Sequence, residues 1–142
     1  MLKNLYLLGL LIFYILPIQS QSIIGKWRTL HEKTGKPVSI VEFYNNNGKV
    51  FGKIIEILEK EHKNDLCLKC KGSEKNTPIL GLEIVKGLEK NNNEYNNGTI
   101  FHPVIGREFK CTIHFSEKDF NKIYVRGHFL FFYKTQLWER IN

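Results

Sequence analysis

The sequence lacks the short motifs by which many hydrolases and metalloenzymes are recognised. It contains neither Gly-x-Ser-x-Gly nor His-Glu-x-x-His, the patterns that place a serine nucleophile or a zinc ion in such enzymes. The serines of the chain have no catalytic partner at a recognisable spacing, and a second Cys-x-x-Cys pair of the zinc-ribbon type is missing. We therefore assign no catalytic residue, and the sequence predicts neither an enzyme nor a cofactor.

The chain also lacks a dense basic tract. Lys and Arg number 21 against 14 Asp and Glu, which gives a formal net charge of +7. These basic residues are scattered and interleaved with Glu, as on an ordinary solvated surface, whereas nucleic-acid-binding proteins concentrate them on one face. We therefore expect no nucleic-acid partner.

Long apolar runs are absent after the first 20 residues. The one near the start, Leu5–Ile18, follows a lysine and precedes small residues at Ser20 and Ser22, the pattern of a secretory signal peptide. We predict a signal peptide over residues 1–20, with Ser22 as the alternative cleavage point, and a single domain over residues 21–142. The mature protein is predicted to be soluble and exported, either to the periplasm or out of the cell.

The remaining chain has little helical periodicity and mostly alternates between apolar and polar residues. Strand-like segments are residues 23–30, 38–44, 49–58, 82–88, 95–101, 109–115, 123–129 and 133–141. The segment 82–88 also fits a short helix, although a strand is favoured. About eight short consecutive strands joined by turns predict an all-β protein, a single small antiparallel up-and-down β-barrel. Such a barrel holds either its own side chains or one small ligand.

One long interruption, residues 59–78, breaks this series of strands. It carries Cys67 and Cys70, while the third cysteine, Cys111, lies on the apolar face of a strand. The favoured interpretation is a structural disulfide, either Cys67–Cys70 or from one of these to Cys111.

Two other interpretations of the cysteines remain open. One is a redox-active Cys-x-x-Cys pair, although the surrounding loop is unlike a thioredoxin frame. The other is a metal site, to which further ligands could come from Cys111, His62, His102 or His114. By strand alternation His114 faces away from Cys111, so no metal ligand is assigned.

The run Phe129–Tyr133 is apolar on both faces of its strand, unlike the strands before it. The favoured interpretation is that the Cys67–Pro78 loop covers its outward face. The alternative is that this face binds an envelope protein or a lipid surface. Phe129, with Arg126, Gln136 and Trp138, is a candidate for ligand contacts at a barrel mouth.

Three groups of motifs together resemble a known family. They are Ile24-Gly25-Lys26-Trp27 with Thr34-Gly35-Lys36-Pro37 and Asn47-Gly48-Lys49-Val50; Cys67-Leu68-Lys69-Cys70-Lys71-Gly72 with Pro78-Ile79-Leu80-Gly81; and Phe109-Lys110-Cys111 with Val125-Arg126-Gly127 and Thr135-Gln136-Leu137-Trp138. In order and spacing they resemble the secreted bacterial family called domain of unknown function 2147. The resemblance implies a lipocalin-like barrel and no established activity.

The sequence departs from that family pattern at two places. A turn that usually reads Asp-Pro-x-x-Gly begins with His102 here, and Tyr133-Lys134 stands where Gly-Arg usually precedes Thr-Gln. A fainter likeness to lipocalins lies in Gly25-x-Trp27 on the first strand with Arg140 on the last. In lipocalins such a pair closes one barrel end, with the guanidinium over the tryptophan ring.

These observations leave three functional hypotheses. The leading one is an exported lipocalin-like barrel that binds a small apolar or amphipathic ligand inside. The alternative is a structural or protein-interaction module of the envelope, with a barrel filled by its own side chains. The third is a thiol- or metal-dependent activity at the Cys-x-x-Cys loop.

Overall fold

The computed structural model describes residue 14 and residues 21–142. The predicted signal peptide therefore lies almost entirely outside the described residues. The eight strands are β1 Gly25–Leu30, β2 Pro37–Asn46, β3 Lys49–Ile57, β4 Glu83–Asn91, β5 Glu94–His102, β6 Arg107–Phe115, β7 Lys122–Phe129 and β8 Phe132–Ile141. Two single-turn 3₁₀ helices, Lys60–His62 and Gly72–Glu74, lie in the long β3–β4 connection. Within residues 21–142, no helix is long and apolar enough to cross a membrane.

The strands form one closed antiparallel barrel in sequence order. Each strand pairs with the next, and β8 returns to β1, with Trp27 opposite Arg140 and Thr29 opposite Trp138. The prediction of an all-β up-and-down barrel is confirmed, and the ambiguous segment is the strand β4, not a helix. Closure pairs every strand on both sides over part of its length and so removes most exposed edges.

The connections alternate between the two ends of the barrel because successive strands run in opposite directions. We call the upper end the one that gathers the β1–β2, β3–β4, β5–β6 and β7–β8 connections. The sulfur of Cys67 in the β3–β4 loop lies 4.0 Å from the backbone oxygen of Pro103 in the β5–β6 turn. The lower end carries the three remaining turns.

Alternation along each strand places one apolar face inside the barrel. The largest fully buried side chains on the strands are Trp27, Trp138, Phe43, Leu88, Ile113, Ile123, Val41, Val85 and Cys111. Phe43 stacks on Trp138 with ring centroids 5.9 Å apart. Nearer the upper end, Ile100, Phe109 and Gln136 are only partly buried. Side chains of the chain itself therefore occupy the lower and middle layers of the interior.

Candidate functional site

At the lower end of the barrel, the Arg140 guanidinium lies against the face of the Trp27 ring. The Trp27 ring nitrogen donates to the backbone oxygen of Ile23 at 2.7 Å, and the Arg140 guanidinium lies 4.3 Å from the ring centroid. Arg140 also donates to the backbone oxygen of Ile24 at 3.2 Å, and burial lowers its pKa. Gly25 has a φ of +125°, and a Cβ there would lie 3.4 Å from that guanidinium. The three residues predicted to close the barrel thus lie together.

A disulfide joins Cys67 to Cys70 within the β3–β4 loop, with Cα atoms 5.3 Å apart. Both cysteines are buried, and the Cys67 amide donates to the backbone oxygen of Thr77 at 2.7 Å. The disulfide predicted from the sequence is confirmed, and it is the pairing within the loop. Because Cys67 and Cys70 are joined, neither is a thiolate that could bind a metal ion. Among residues 21–142, no three His, Cys, Asp or Glu side chains are close enough together to hold one.

The redox alternative is also disfavoured by the position of the Cys67–Cys70 pair. Thiol exchange needs a sulfur that a partner can reach and a thiolate stabilised by nearby charge or a helix N-terminus. Cys67 is fully buried, and the segment between the two cysteines is an irregular loop. These observations favour a structural crosslink over a redox-active pair.

Replacing both disulfide cysteines by serine should lower the free energy of unfolding by about 2 kcal/mol. The crosslink closes a very short loop, so it restricts the unfolded chain only modestly. Denaturant unfolding of the double variant against the oxidised wild type measures the difference. Wild-type protein in reductant should match the double variant, and an unchanged unfolding midpoint in both would contradict this prediction.

Cys111 is the free cysteine of the described chain, and it is buried. Burial raises the pKa of its thiol to about 12, so the group stays protonated at physiological pH. We expect iodoacetamide to leave Cys111 unmodified in the folded protein at mildly alkaline pH and to modify it fully in denaturant. Mass spectrometry measures the adduct, and rapid alkylation of folded protein would show that the thiol is accessible.

The upper end carries an exposed apolar hairpin tip, residues 129–133, which we call the aromatic tip. The exposed fraction of the residue rises from 44% at Phe129 to 80% at Leu130 and 96% at Phe131, and it remains high at Phe132 and Tyr133. The expectation that the Cys67–Pro78 loop covers this segment is wrong. That loop instead packs against the β5–β6 turn, where Lys69 fills the space beside Gly106.

The backbone of the aromatic tip is unusual at Leu130, which has a φ of +52°. Five described residues other than glycine have positive φ, and the other four are Asn47, Asn76, Asn92 and Asn97. Asparagine tolerates this conformation, whereas a branched apolar side chain is strained there. The turn therefore keeps an apolar residue, whereas every other described residue with a positive φ is asparagine or glycine.

Cations lie against the rings of the aromatic tip. The Arg107 guanidinium is 4.9 Å from the Phe129 ring centroid, and that of Arg126 is 4.3 Å from the Tyr133 centroid. Arg126 also donates to the Thr135 hydroxyl at 2.8 Å. Sequence reasoning missed Arg107, because its contact with Phe129 joins the first residue of β6 to the last residue of β7 and depends on the register of that hairpin.

The residues proposed for ligand contacts do not form one cluster. Trp138 is buried in the core, so the expectation that it stands at the barrel mouth is wrong. Gln136 faces the interior opposite Val125 and accepts a hydrogen bond from the Trp138 ring nitrogen at 3.2 Å. Arg126 alternates with the interior residues of β7 and faces outward, while Phe129 lies at the end of that strand.

A surface groove of about 430 Å³ runs beside the upper half of β8. It lies where β1 has ended and only β7 still pairs with β8. Its lining residues are Leu30, His31, Glu32, Gly35, Tyr124, Thr135, Gln136 and Leu137. Tyr124 and Leu137 sit on outward-facing positions opposite each other. Sequence reasoning missed this groove, and the outward apolar pair is the signal that could have indicated it.

The two departures from the family pattern lie near each other. Partial burial lowers the pKa of His102, and the positive charge of Lys134 lowers it further. The Lys134 ammonium also pairs with the Glu32 carboxylate at 2.6 Å. Lys134 thus pairs with the β1–β2 turn, and its charge acts on His102 at the end of β5.

The closed eight-stranded barrel is of the lipocalin-like class. It is similar to the solved structure of protein HP1028 from the human pathogen Helicobacter pylori, which is described as belonging to the lipocalin family. The TM-score is 0.73 at 18% sequence identity, over 87% of this chain and 85% of that chain, and this likeness shows the fold alone. The chain belongs to the family of uncharacterized proteins conserved in bacteria known as DUF2147, whose model matches residues 25–140. No curated protein matches the chain.

Proposed function

We propose that the protein is an exported interaction module of the bacterial envelope that acts through its aromatic tip. The observation that carries the proposal is the exposure of five consecutive apolar residues at one end of the barrel, with Phe131 at 96%. Contiguous apolar surface of this kind in a soluble domain is typical of a binding surface. The bacterial family and the disulfide support export, because such crosslinks persist in oxidising compartments.

The packing of the barrel interior favours this function over capture of a ligand inside. Trp27, Phe43 and Trp138 fill the lower and middle layers, each fully or almost fully buried. An internal site for a small molecule would need several hundred Å³ in that space. The aromatic tip, in contrast, is accessible without any rearrangement.

Photo-crosslinking in the bacterium that makes the protein tests the proposal. A photoreactive phenylalanine analogue at position 131 should form covalent adducts with the binding partner of the aromatic tip after illumination. The matched control is the same analogue at position 120, because Phe120 is also exposed (55%) and lies in the β6–β7 connection at the lower end. Equal adduct yields at the two positions, or none at 131, would contradict the proposal.

The groove beside β8 favours a second candidate function, binding of a small apolar or amphipathic ligand on the outer face of the barrel. Its volume lies within the range of small-molecule sites, and Leu30, Tyr124 and Leu137 supply apolar lining. Native mass spectrometry of protein purified from its own cell is the test. An extra mass that is lost in the Leu137→Asp variant would support this function, whereas a bare wild-type mass would count against it.

A further inference from the structure

We infer that the aromatic tip docks the protein onto a bilayer that contains anionic phospholipid. This inference rests on the proposed function, since it names the partner of the same surface. Three independent features of the upper end support a membrane: the shape of the aromatic tip, the residue at its turn, and the charge around it.

The shape of the aromatic tip suits insertion into a bilayer. Its most exposed side chains, Leu130 and Phe131, form the turn between β7 and β8 and therefore project beyond the ends of both strands. Phe132 and Tyr133 follow at the start of β8 and are also exposed. Apolar and aromatic side chains of this kind partition into the region between lipid headgroups and acyl chains.

The turn residue gives a second argument. Leu130 adopts a φ of +52°, where asparagine or glycine would avoid the steric strain of a branched side chain. Strain of this kind is concentrated at functional sites. An apolar side chain at the apex has no folded partner to stabilise it, since it is 80% exposed. Contact with lipid explains why it is apolar.

The charge around the aromatic tip gives the third argument and selects anionic lipid. Arg107 and Arg126 lie over rings of the tip, and Lys110 faces outward opposite His128 on the neighbouring strands. Glu108, exposed beside Arg107, opposes this positive charge. A guanidinium held over an aromatic ring near a membrane surface can pair with lipid phosphate while the ring enters the interface.

The charges of the neighbouring turn are consistent with the same surface. Lys134 follows the aromatic tip directly, but its ammonium pairs with Glu32, so this pair contributes little net charge. The arginines therefore supply the main attraction for lipid phosphate. Each such residue near an anionic surface is expected to raise binding about fivefold at low salt, and salt weakens the effect.

Vesicle co-sedimentation tests the inference, with the protein purified as its host cell processes it. The vesicles are phosphatidylcholine alone or phosphatidylcholine with phosphatidylglycerol, each at low and high salt. We expect binding to the mixed vesicles at low salt, much weaker binding to phosphatidylcholine alone, and a decrease as salt rises. Phe131→Ser should weaken binding at least about tenfold, since it removes a large apolar side chain from the interface.

Matched variants distinguish vesicle binding through the aromatic tip from nonspecific adsorption of the protein. Phe120→Ser removes an exposed phenylalanine at the opposite end and should leave vesicle binding unchanged. Arg126→Gln should weaken binding to phosphatidylglycerol vesicles about fivefold, and Lys118→Gln at the lower end should not. Bromine-labelled acyl chains should quench the fluorescence of the tryptophan introduced by Phe131→Trp. They should not quench that of the tryptophan introduced by Phe120→Trp.

Absence of binding to the mixed vesicles at low salt would overturn the inference, and so would equal losses for Phe131→Ser and Phe120→Ser. The photo-crosslinking experiment then distinguishes the two levels of the argument. A specific protein adduct from position 131 without vesicle binding would retain the interaction module and replace the membrane by a protein partner. If the protein shows neither vesicle binding nor an adduct at position 131, both the interaction module and its docking onto a membrane are contradicted.

Discussion

Replacing Trp27 by alanine is expected to lower the free energy of unfolding by about 3–5 kcal/mol, the range for removing a large aromatic side chain from a packed core. Trp27 is fully buried, donates from its ring nitrogen to Ile23 and carries the Arg140 guanidinium on its face. The variant loses these contacts together and leaves a cavity at the lower end. Denaturant unfolding followed by circular dichroism measures the change.

Two further variants locate the origin of the Trp27 effect. Arg28→Ala, on the outward face next to Trp27, removes only an exposed ion pair with Glu139 at 3.9 Å and should change stability by less than about 1 kcal/mol. Trp27→Phe keeps most of the apolar volume and should fall between the wild type and Trp27→Ala. A loss of less than about 1 kcal/mol for Trp27→Ala would mean that the lower end is not part of the cooperative core.

The architecture could be predicted from the sequence because it depends on local signals. Alternation with a period of two identifies both a strand and its buried face, and turns such as Asn47-Gly48 mark where each strand ends. Cys67 and Cys70 are only three positions apart, so a disulfide between them was one of the predicted pairings. These signals need no knowledge of which distant residues meet.

The height of a residue in the barrel could not be predicted in this way. Alternation shows that Trp138 faces inward, but its layer depends on how the strands are staggered on closure. That stagger is set where β8 meets β1, which places Trp138 opposite Thr29 and against Phe43, below the mouth. The expectation of a mouth position failed because this pairing joins the two ends of the barrel sequence.

The exposure of the aromatic tip was mispredicted for a similar reason. The sequence shows that Phe129–Tyr133 is apolar on both faces, and cover by the Cys67–Pro78 loop was the favoured interpretation of its outward face. The loop is held elsewhere by its disulfide and by packing against Pro103 and Gly106. An apolar segment that its own chain leaves uncovered is more informative about function than one that it buries.

Gly98→Ala is expected to destabilise the barrel by about 3 kcal/mol or more, at or above the upper end of the usual range for overpacking. A Cβ at this position would lie 2.5 Å from the backbone oxygen of Lys86 and 2.8 Å from the backbone nitrogen of Leu88, both on β4. Backbone atoms of a paired strand cannot move aside as a flexible side chain can. The methyl group therefore has to separate β4 from β5, which lowers the unfolding midpoint in denaturant.

Gly127→Ala is the matched control, since Gly98 and Gly127 both lie opposite Cys111, on its two neighbouring strands. A Cβ at Gly127 would lie 3.4 Å from the Cβ of Phe109, an ordinary packing distance. This substitution should change stability by less than about 1 kcal/mol in either direction. Alanine lowers the conformational entropy of the unfolded chain, and this offsets small losses in packing. Equal effects of the two alanines would show that β4 does not approach β5 as closely at Gly98 as the structure has it. The vesicle experiments then gain a further control, because Gly127→Ala should retain both the fold and the aromatic tip.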